Sequence, residues 1–184
     1  ITDPQGVAWE TYHTLGEGPT DLLVQDGCLV RRFDVVARTL ELVAGASQCG
    51  FAGDGGPATA ALLNNPAGMA VDAAGRIYLA DRGNHRVRRI ELDGTINTVV
   101  GDGVAGFGGD GGPAAAARLS SPSDVSIDPA GRILIADTGN HRVRVIDLDG
   151  RARTLIGTGA NGNSGDGGLA TAAAIAAPEF VHAR

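Results

Sequence analysis

Lysine is absent from this 184-residue chain, so all 15 of its basic residues are arginine. Aromatic residues make up 4%, with one Trp and two Tyr, and methionine occurs once. Such a chain has no aromatic platform to interleave with a basic groove, the arrangement used to bind single-stranded nucleic acid. The 21 acidic residues outnumber the basic ones and leave a formal charge of −6. That balance argues against a nucleic-acid partner, which selects a net basic face. No apolar run approaches the ~18 residues of a membrane-spanning helix. A Ser-His-Asp arrangement, an H-E-x-x-H helix and paired carboxylates are missing too.

Glycine is what the chain has in excess. The 29 Gly and 8 Pro leave room only for short elements joined by turns, and no long helix is expected. Apolar residues, at 43%, suffice for one domain with its own core. The first residue is Ile and the single Met is Met69, so the sequence reads as a processed chain or a piece of a longer one.

An internal repeat organises the sequence. Gly53-Asp54-Gly55-Gly56-Pro57-Ala58 returns as Gly109-Asp110-Gly111-Gly112-Pro113-Ala114, and again as Gly165-Asp166-Gly167-Gly168-Leu169-Ala170. Asn84-His85-Arg86-Val87-Arg88 returns as Asn140-His141-Arg142-Val143-Arg144. The period is 56 residues, and more than half of the positions from Pro66 to Gly103 are identical to Pro122 to Gly159 without a gap. A degraded copy comes first: Pro4–Ala8 matches Pro66–Ala70, and Asp26–Phe33 matches Asp81–Ile90 with two residues deleted. It carries extra residues within Thr11–Asp21. The repeats run approximately 1–50, 51–106 and 107–162, with a partial copy over 163–184, in one domain spanning 1–184.

Each copy predicts four short strands. In the second, Gly68–Val71, Arg76–Ala80, Arg86–Leu92 and Thr95–Val100 are apolar or alternating runs, separated by Asp72–Gly75, Asp81–His85 and the hairpin signal Asp93-Gly94. A four-stranded unit cannot bury both faces alone. Stacking copies around an axis solves this, which predicts an all-β propeller of three four-stranded blades. Ala114–Leu119, in the linker, allows one helical turn.

The runs Ala80–Arg88 and Ala136–Arg144, each preceded by a Pro-led strand and Asp-x-x-Gly-Arg-Ile, resemble the signature of NHL repeats. The linker Gly-Asp-Gly-Gly-Pro-Ala resembles the long-linker NHL repeats of bacterial surface or secreted proteins and of teneurin-type ectodomains. The resemblance covers nearly the whole chain and implies a six-bladed ring, of which this chain encodes three blades. It leaves function open, because a fold hosts many functions. The first copy lacks the Gly-Asn-His-Arg turn.

Candidate residues follow from the repeat. Asp81, Asn84 and Arg86, with Asp137, Asn140 and Arg142, are read as a hydrogen-bonded network joining strands. Cys28 and Cys49 fall in neighbouring parts of one hairpin and form an even pair, which fits a disulfide and an extracellular or periplasmic setting; two buried free thiols are the alternative. Trp9, Tyr12 and His13 in the extra segment, with His85 and His141 in the repeated turn, are the possible ligand residues. Gly101–Gly106 matches G-x-G-x-x-G but lacks the helix and βαβ unit of a dinucleotide site. Asp54, Asp110 and Asp166 admit calcium only as a weak alternative, since calcium needs six to eight oxygens; no cofactor is expected.

Three functions compete. The first is a non-enzymatic scaffold that binds protein or ligand, including a second copy of itself that closes the ring as a homodimer. The second is part of a propeller lyase or lactonase, with His13, His85, His141 or His182 near a metal in the central channel. The third is a self-assembling half-propeller without a ligand.

Overall fold

A computed structural model describes residues 13–14 and 22–183; Trp9, Tyr12 and the Pro4–Ala8 match lie outside the described residues. Three four-stranded antiparallel sheets follow one another along the chain. The first holds β1 (His13–Thr14), β2 (Leu22–Asp26), β3 (Leu29–Asp34) and β4 (Thr39–Ala44). The second holds β5 (Pro66–Val71), β6 (Ile77–Asp81), β7 (Arg86–Ile90) and β8 (Ile96–Val100). The third holds β9 (Asp124–Ile127), β10 (Ile133–Asp137), β11 (Arg142–Ile146) and β12 (Ala152–Ile156). Each is a meander whose strands pair in chain order, the blade of a β-propeller. In the first blade, β1 falls inside the extra segment of the first copy, pairing His13 with Leu23 and Thr14 with Leu22.

The turns follow local chemistry. Asp93 Oδ1 accepts the Thr95 amide at 3.0 Å, and Gly94 takes the left-handed φ of 81° that the tight hairpin requires. Asp72 holds the turn from β5 to β6, accepting the amides of Ala74 and Arg76, each at 3.0 Å. In β3, β7 and β11 the register shifts at the same step, Val30/Arg31, Val87/Arg88 and Val143/Arg144. A bulge repeated at one position turns the same side chain the same way in every blade.

The core lies between blades. Val30, Ala44, Leu63, Met69, Leu79 and Ile96 pack together where the first blade meets the second. Val87, Val100, Leu119, Val125, Ile135 and Ile146 do so where the second meets the third. Each linker contributes to the joint ahead of it, with Ala58 and Ala61 in one and Ala114 and Ala117 in the other. The one turn of helix expected in the linker is the 3-10 turn Ala114–Ala116. The first strands of adjacent blades come close: the Gly68 amide donates to the Ser123 carbonyl at 2.7 Å. A Cβ at Gly68 would stand 1.9 Å from Asp124 Oδ1, so only glycine permits the approach.

Candidate functional site

The repeated polar residues join blades to linkers. At the end of β6, Asp81 Oδ1 accepts the Asn64 amide and Oδ2 accepts Asn84 Nδ2, both at 2.8 Å. Asn84 Nδ2 also donates to the Gly50 carbonyl at 2.6 Å. Arg86 reaches the linker that follows, donating from Nη1 to the Gly101 carbonyl at 2.9 Å and from Nη2 to the Asp102 carbonyl at 2.7 Å. The third blade repeats the set. Asp137 accepts Ser120 N and Asn140 Nδ2 at 2.7 and 2.8 Å, and Arg142 clamps the carbonyls of Gly157 and Thr158. Burial pushes the Asp81 and Asp137 carboxyls above the usual carboxylate range, against the pull of the Asn hydrogen bonds and the backbone amides.

The second arginine of each repeated Asn-His-Arg-Val-Arg run lies inside. Arg88 and Arg144 have no exposed side-chain surface. Arg88 Nη2 stands 2.8 Å from Asp54 in the preceding linker, and Nη1 is 3.4 Å from Asp81. Arg144 makes the same pairs with Asp110 at 2.6 Å and Asp137 at 3.5 Å. Phe51 and Phe107, which sequence reading passed over, stack on these groups. Arg86 and Arg88 lie 4.0 and 5.0 Å from the Phe51 ring centre, and Arg142 and Arg144 lie 3.9 and 5.0 Å from that of Phe107. The signal that could have found them is the repeat itself, which returns Phe, Asp and Arg at the same spacing.

The histidines of the repeated turn also work between blades. His85 and His141 adopt left-handed conformations, with φ of 55° and 52°. Nδ1 of His85 accepts the Ser121 amide at 3.0 Å, and Nδ1 of His141 accepts the Ala177 amide at 2.9 Å. His85 thus holds the chain just ahead of β9, and His141 holds the equivalent stretch ahead of Pro178. His13 sits in β1, and His182 lies near the end of the described chain. Among the described residues no group of three or more His, Cys, Asp or Glu could hold a metal ion. Of the three linker carboxylates considered for calcium, Asp54 and Asp110 face an arginine, and Asp110 Oδ2 also accepts Thr154 Oγ1 at 2.7 Å.

Cys28 and Cys49 form a disulfide with their Cα atoms 5.1 Å apart. Cys28 occupies the turn between β2 and β3, and Cys49 the linker after β4. The bond ties turn to linker where Arg86 and Arg142 do so in the later blades.

A groove of about 460 Å³ opens between the second and third blades, lined among others by Tyr78, Arg89, Val99, Pro113, Ile133 and Leu148. Leu148 and its repeat equivalent Leu92 are each 73% exposed. A smaller cavity of about 200 Å³ lies against the first strands, where Gln25, Asn65, Arg82, Ser123 and Glu179 meet.

Two family models match the chain: the teneurin NHL domain over residues 30–106 and the NHL repeat over residues 119–146. Among curated proteins, the chain is 35% identical over 100 residues to Protein SUPPRESSOR OF QUENCHING 1, chloroplastic, of Arabidopsis thaliana. That match covers 54% of this chain and 9% of the relative. It is 34% identical over 139 residues to teneurin-1 of Mus musculus, covering 67% of this chain and 5% of the relative. The chain therefore spans less than a tenth of either protein. Among solved structures, an auxiliary nutrient binding protein from Bacteroides thetaiotaomicron superposes with a TM-score of 0.64 at 18% identity, over 89% of this chain and 40% of that one. A gluconolactonase from Xanthomonas campestris superposes with a TM-score of 0.52 at 20% identity, over 78% of this chain and 46% of that one.

Proposed function

The chain belongs to the NHL-repeat family, and from that premise we propose that it is a non-enzymatic propeller segment serving as a protein-binding scaffold. The observation that carries this reading is the groove between the second and third blades. Apolar Val99, Pro113, Ile133 and Leu148 line it, with Tyr78 and Arg89 as polar handles. Aromatic and arginine anchors in a partly apolar recess are the composition of protein-binding hot spots. Leu92 and Leu148 stand exposed at one repeat position on a frame whose polar groups are already engaged in joining blades to linkers. Large exposed apolar side chains beside a recess mark interaction surfaces. The disulfide supports a setting outside the reducing interior of the cell, extracellular or periplasmic. The ring this segment contributes to has six blades in this reading, with three supplied here.

The cavity at Gln25, Asn65, Arg82, Ser123 and Glu179 favours a second reading, a lyase or lactonase site at the propeller centre. Its polar groups come from β2 (Gln25), from the residues just ahead of β5 and β9 (Asn65 and Ser123), from the turn after β6 (Arg82) and from the last described segment (Glu179).

One experiment separates the two. A displayed peptide library is selected on the immobilised chain, and the chain is assayed in parallel for lactone hydrolysis and elimination, with and without divalent metal. The scaffold reading expects peptide ligands whose binding weakens at least tenfold in Leu148→Asp. Turnover by the wild-type chain that Glu179→Gln abolishes would replace it with the enzymatic reading.

A further inference from the structure

We propose that Asn161 is a site of spontaneous covalent modification, converting to aspartate and isoaspartate through a cyclic imide formed with Gly162. The inference stands apart from what the propeller binds.

Asn161-Gly162 is the only Asn-Gly step in the sequence. Imide formation requires the peptide nitrogen that follows an asparagine to reach its side-chain carbonyl carbon. A glycine in that place has no Cβ to crowd the approach. The nitrogen must also be free, because a hydrogen bond to a carbonyl holds the peptide in place and has to be broken first.

The structure separates Asn161 from Asn84, Asn140 and Asn163 on this point. Ser164 N, which follows Asn163, donates to Ala174 O at 3.2 Å. His85 N, which follows Asn84, donates to Arg82 O at 3.2 Å, and His141 N, which follows Asn140, donates to Thr138 O at 3.1 Å. The side chains of Asn84 and Asn140 are engaged as well, each on an aspartate and a glycine carbonyl. Neither the side chain of Asn161 nor the amide of Gly162 has a hydrogen bond among the described residues. Asn161 is also exposed.

The earlier linkers show that this freedom belongs to the third one. Gly50 and Gly106 are the repeat equivalents of Gly162. Gly50 N donates to Leu63 O at 3.0 Å, and Gly106 N donates to Leu119 O at 3.2 Å. Each acceptor lies in the same linker as its donor, so a neighbouring blade does not decide the difference. Cys49 and Ala105, the equivalents of Asn161, are exposed too, so exposure at this position is a property of the linker. Packing keeps glycine in the pair: a Cβ at Gly162 would stand 2.9 Å from the Cβ of Ala174.

The chemistry needs only water. Gly162 N attacks Asn161 Cγ. The N–Cγ bond forms, the Cγ–Nδ2 bond breaks, and ammonia leaves with the proton given up by Gly162 N. Water then opens the imide. Cleavage of the N–Cγ bond restores the chain with an aspartate. Cleavage of the bond from that nitrogen to the main-chain carbonyl of Asn161 leaves isoaspartate, with the chain running through Cγ. Either product makes a chain of formal charge −6 one unit more negative. Isoaspartate also inserts a methylene into the backbone between two fixed points, the Gly157 and Thr158 carbonyls held by Arg142 and the bridge from Ser164 to Ala174.

The full-length chain is incubated at body temperature and mildly alkaline pH, folded and in urea. Its tryptic peptides are then read by electron-transfer mass spectrometry, which distinguishes the two products. The expected result is that Asn161 converts in the folded chain as fast as in urea, with isoaspartate the larger product. Asn163 falls behind its own unfolded rate by about fivefold, the worth of one backbone hydrogen bond. Asn161→Gln removes the conversion. Ala105→Asn sets the same Asn-Gly pair ahead of an engaged amide, and that pair converts about fivefold more slowly than Asn161. An Asn161 that stays intact in the folded chain while it converts in urea overturns the proposal. Equal rates in the two linkers of the Ala105→Asn chain overturn it as well, because the free amide would then decide nothing.

Discussion

Replacing Arg144 by Met tests whether the fold depends on charges sealed between blades. The guanidinium has no exposed surface, and its groups contact Asp137 at 3.5 Å, Asp110 at 2.6 Å and the Arg118 and Gly108 carbonyls at 3.2 Å. Methionine fills a similar volume, so the cavity cost is small, and the loss is electrostatic. Asp137 is itself fully buried and would keep only its hydrogen bonds from Asn140 and Ser120. Removing one member of a buried pair costs roughly 3–5 kcal/mol, because the other charge is left without compensation. Asp110 is 39% exposed, and after Asp110→Ala the arginine still keeps Asp137 and the two carbonyls, so that change is expected to cost only about 1 kcal/mol. The asymmetry between the two partners is the prediction. Urea denaturation followed by far-UV circular dichroism measures both, and a double variant gives the coupling. For a domain of this size, the Arg144→Met loss lowers Tm by roughly 6–20 °C at 2–4 °C per kcal/mol. Equal costs for the two variants, or an Arg144→Met loss below about 1 kcal/mol, would refute the claim that the sealed arginine holds the joint.

Three further outcomes are expected. Reducing the disulfide, or replacing Cys28 and Cys49 by Ala, should lower stability by about 3 kcal/mol on the loop-entropy model for a separation of 21 residues, with hydrogen exchange rising in β2–β4 and little changed in β9–β12. His85→Ala should speed exchange of the Ser121 amide and cost about 1 kcal/mol, since that half-buried donor loses its acceptor; unchanged exchange at Ser121 would remove the latch. The Thr95 amide holds the Asp93 carboxyl below its usual range, and the Val104 amide does so for Asp102, where burial pulls the other way and Arg118 assists. Because these folded-state values are depressed, their stabilising contribution is present above the unfolded value near 4 and is lost as pH falls through the lowered one. Carbon NMR titration of the two side chains should show midpoints below that of an unfolded peptide.

The fold was readable because the repeat was. Identical turns at a fixed period imply identical blades, and Asp93-Gly94 and Asp72–Gly75 fall where the hairpins turn. Strand limits shifted by one or two residues; Arg86–Leu92, for instance, ends as a strand at Ile90. The first blade was harder. Its first strand, His13–Thr14, lies in the inserted segment, where no other copy of the repeat is available to align against. The roles of Asp81, Asn84 and Arg86 were legible only as a network. Their partners are mostly backbone groups of linkers some 15 to 34 residues away, and a carbonyl has no sequence signature. The burial of Arg88 and Arg144 was not legible, because alternation gives Arg88 the face of the partly exposed Arg86. The repeated bulge turns Arg88 inward, where Asp54 and Phe51 receive it. The groove between blades was not legible at all, since it exists only once two sheets are set at an angle.

The bond between Cys28 and Cys49 has a mechanical consequence. Tension applied along the chain would peel the second and third blades strand by strand, with only hydrogen bonds, arginine clamps and packing to oppose it. In the first blade the covalent link carries load directly from the β2–β3 turn to the linker. The loop it closes spans a sequence separation of 21 residues and bears no force. About 70 Å of contour, at roughly 3.4 Å per extended residue, stays in reserve until the bond is reduced. A stretched molecule would thus lengthen in two stages, the second of them set by the redox state of its surroundings.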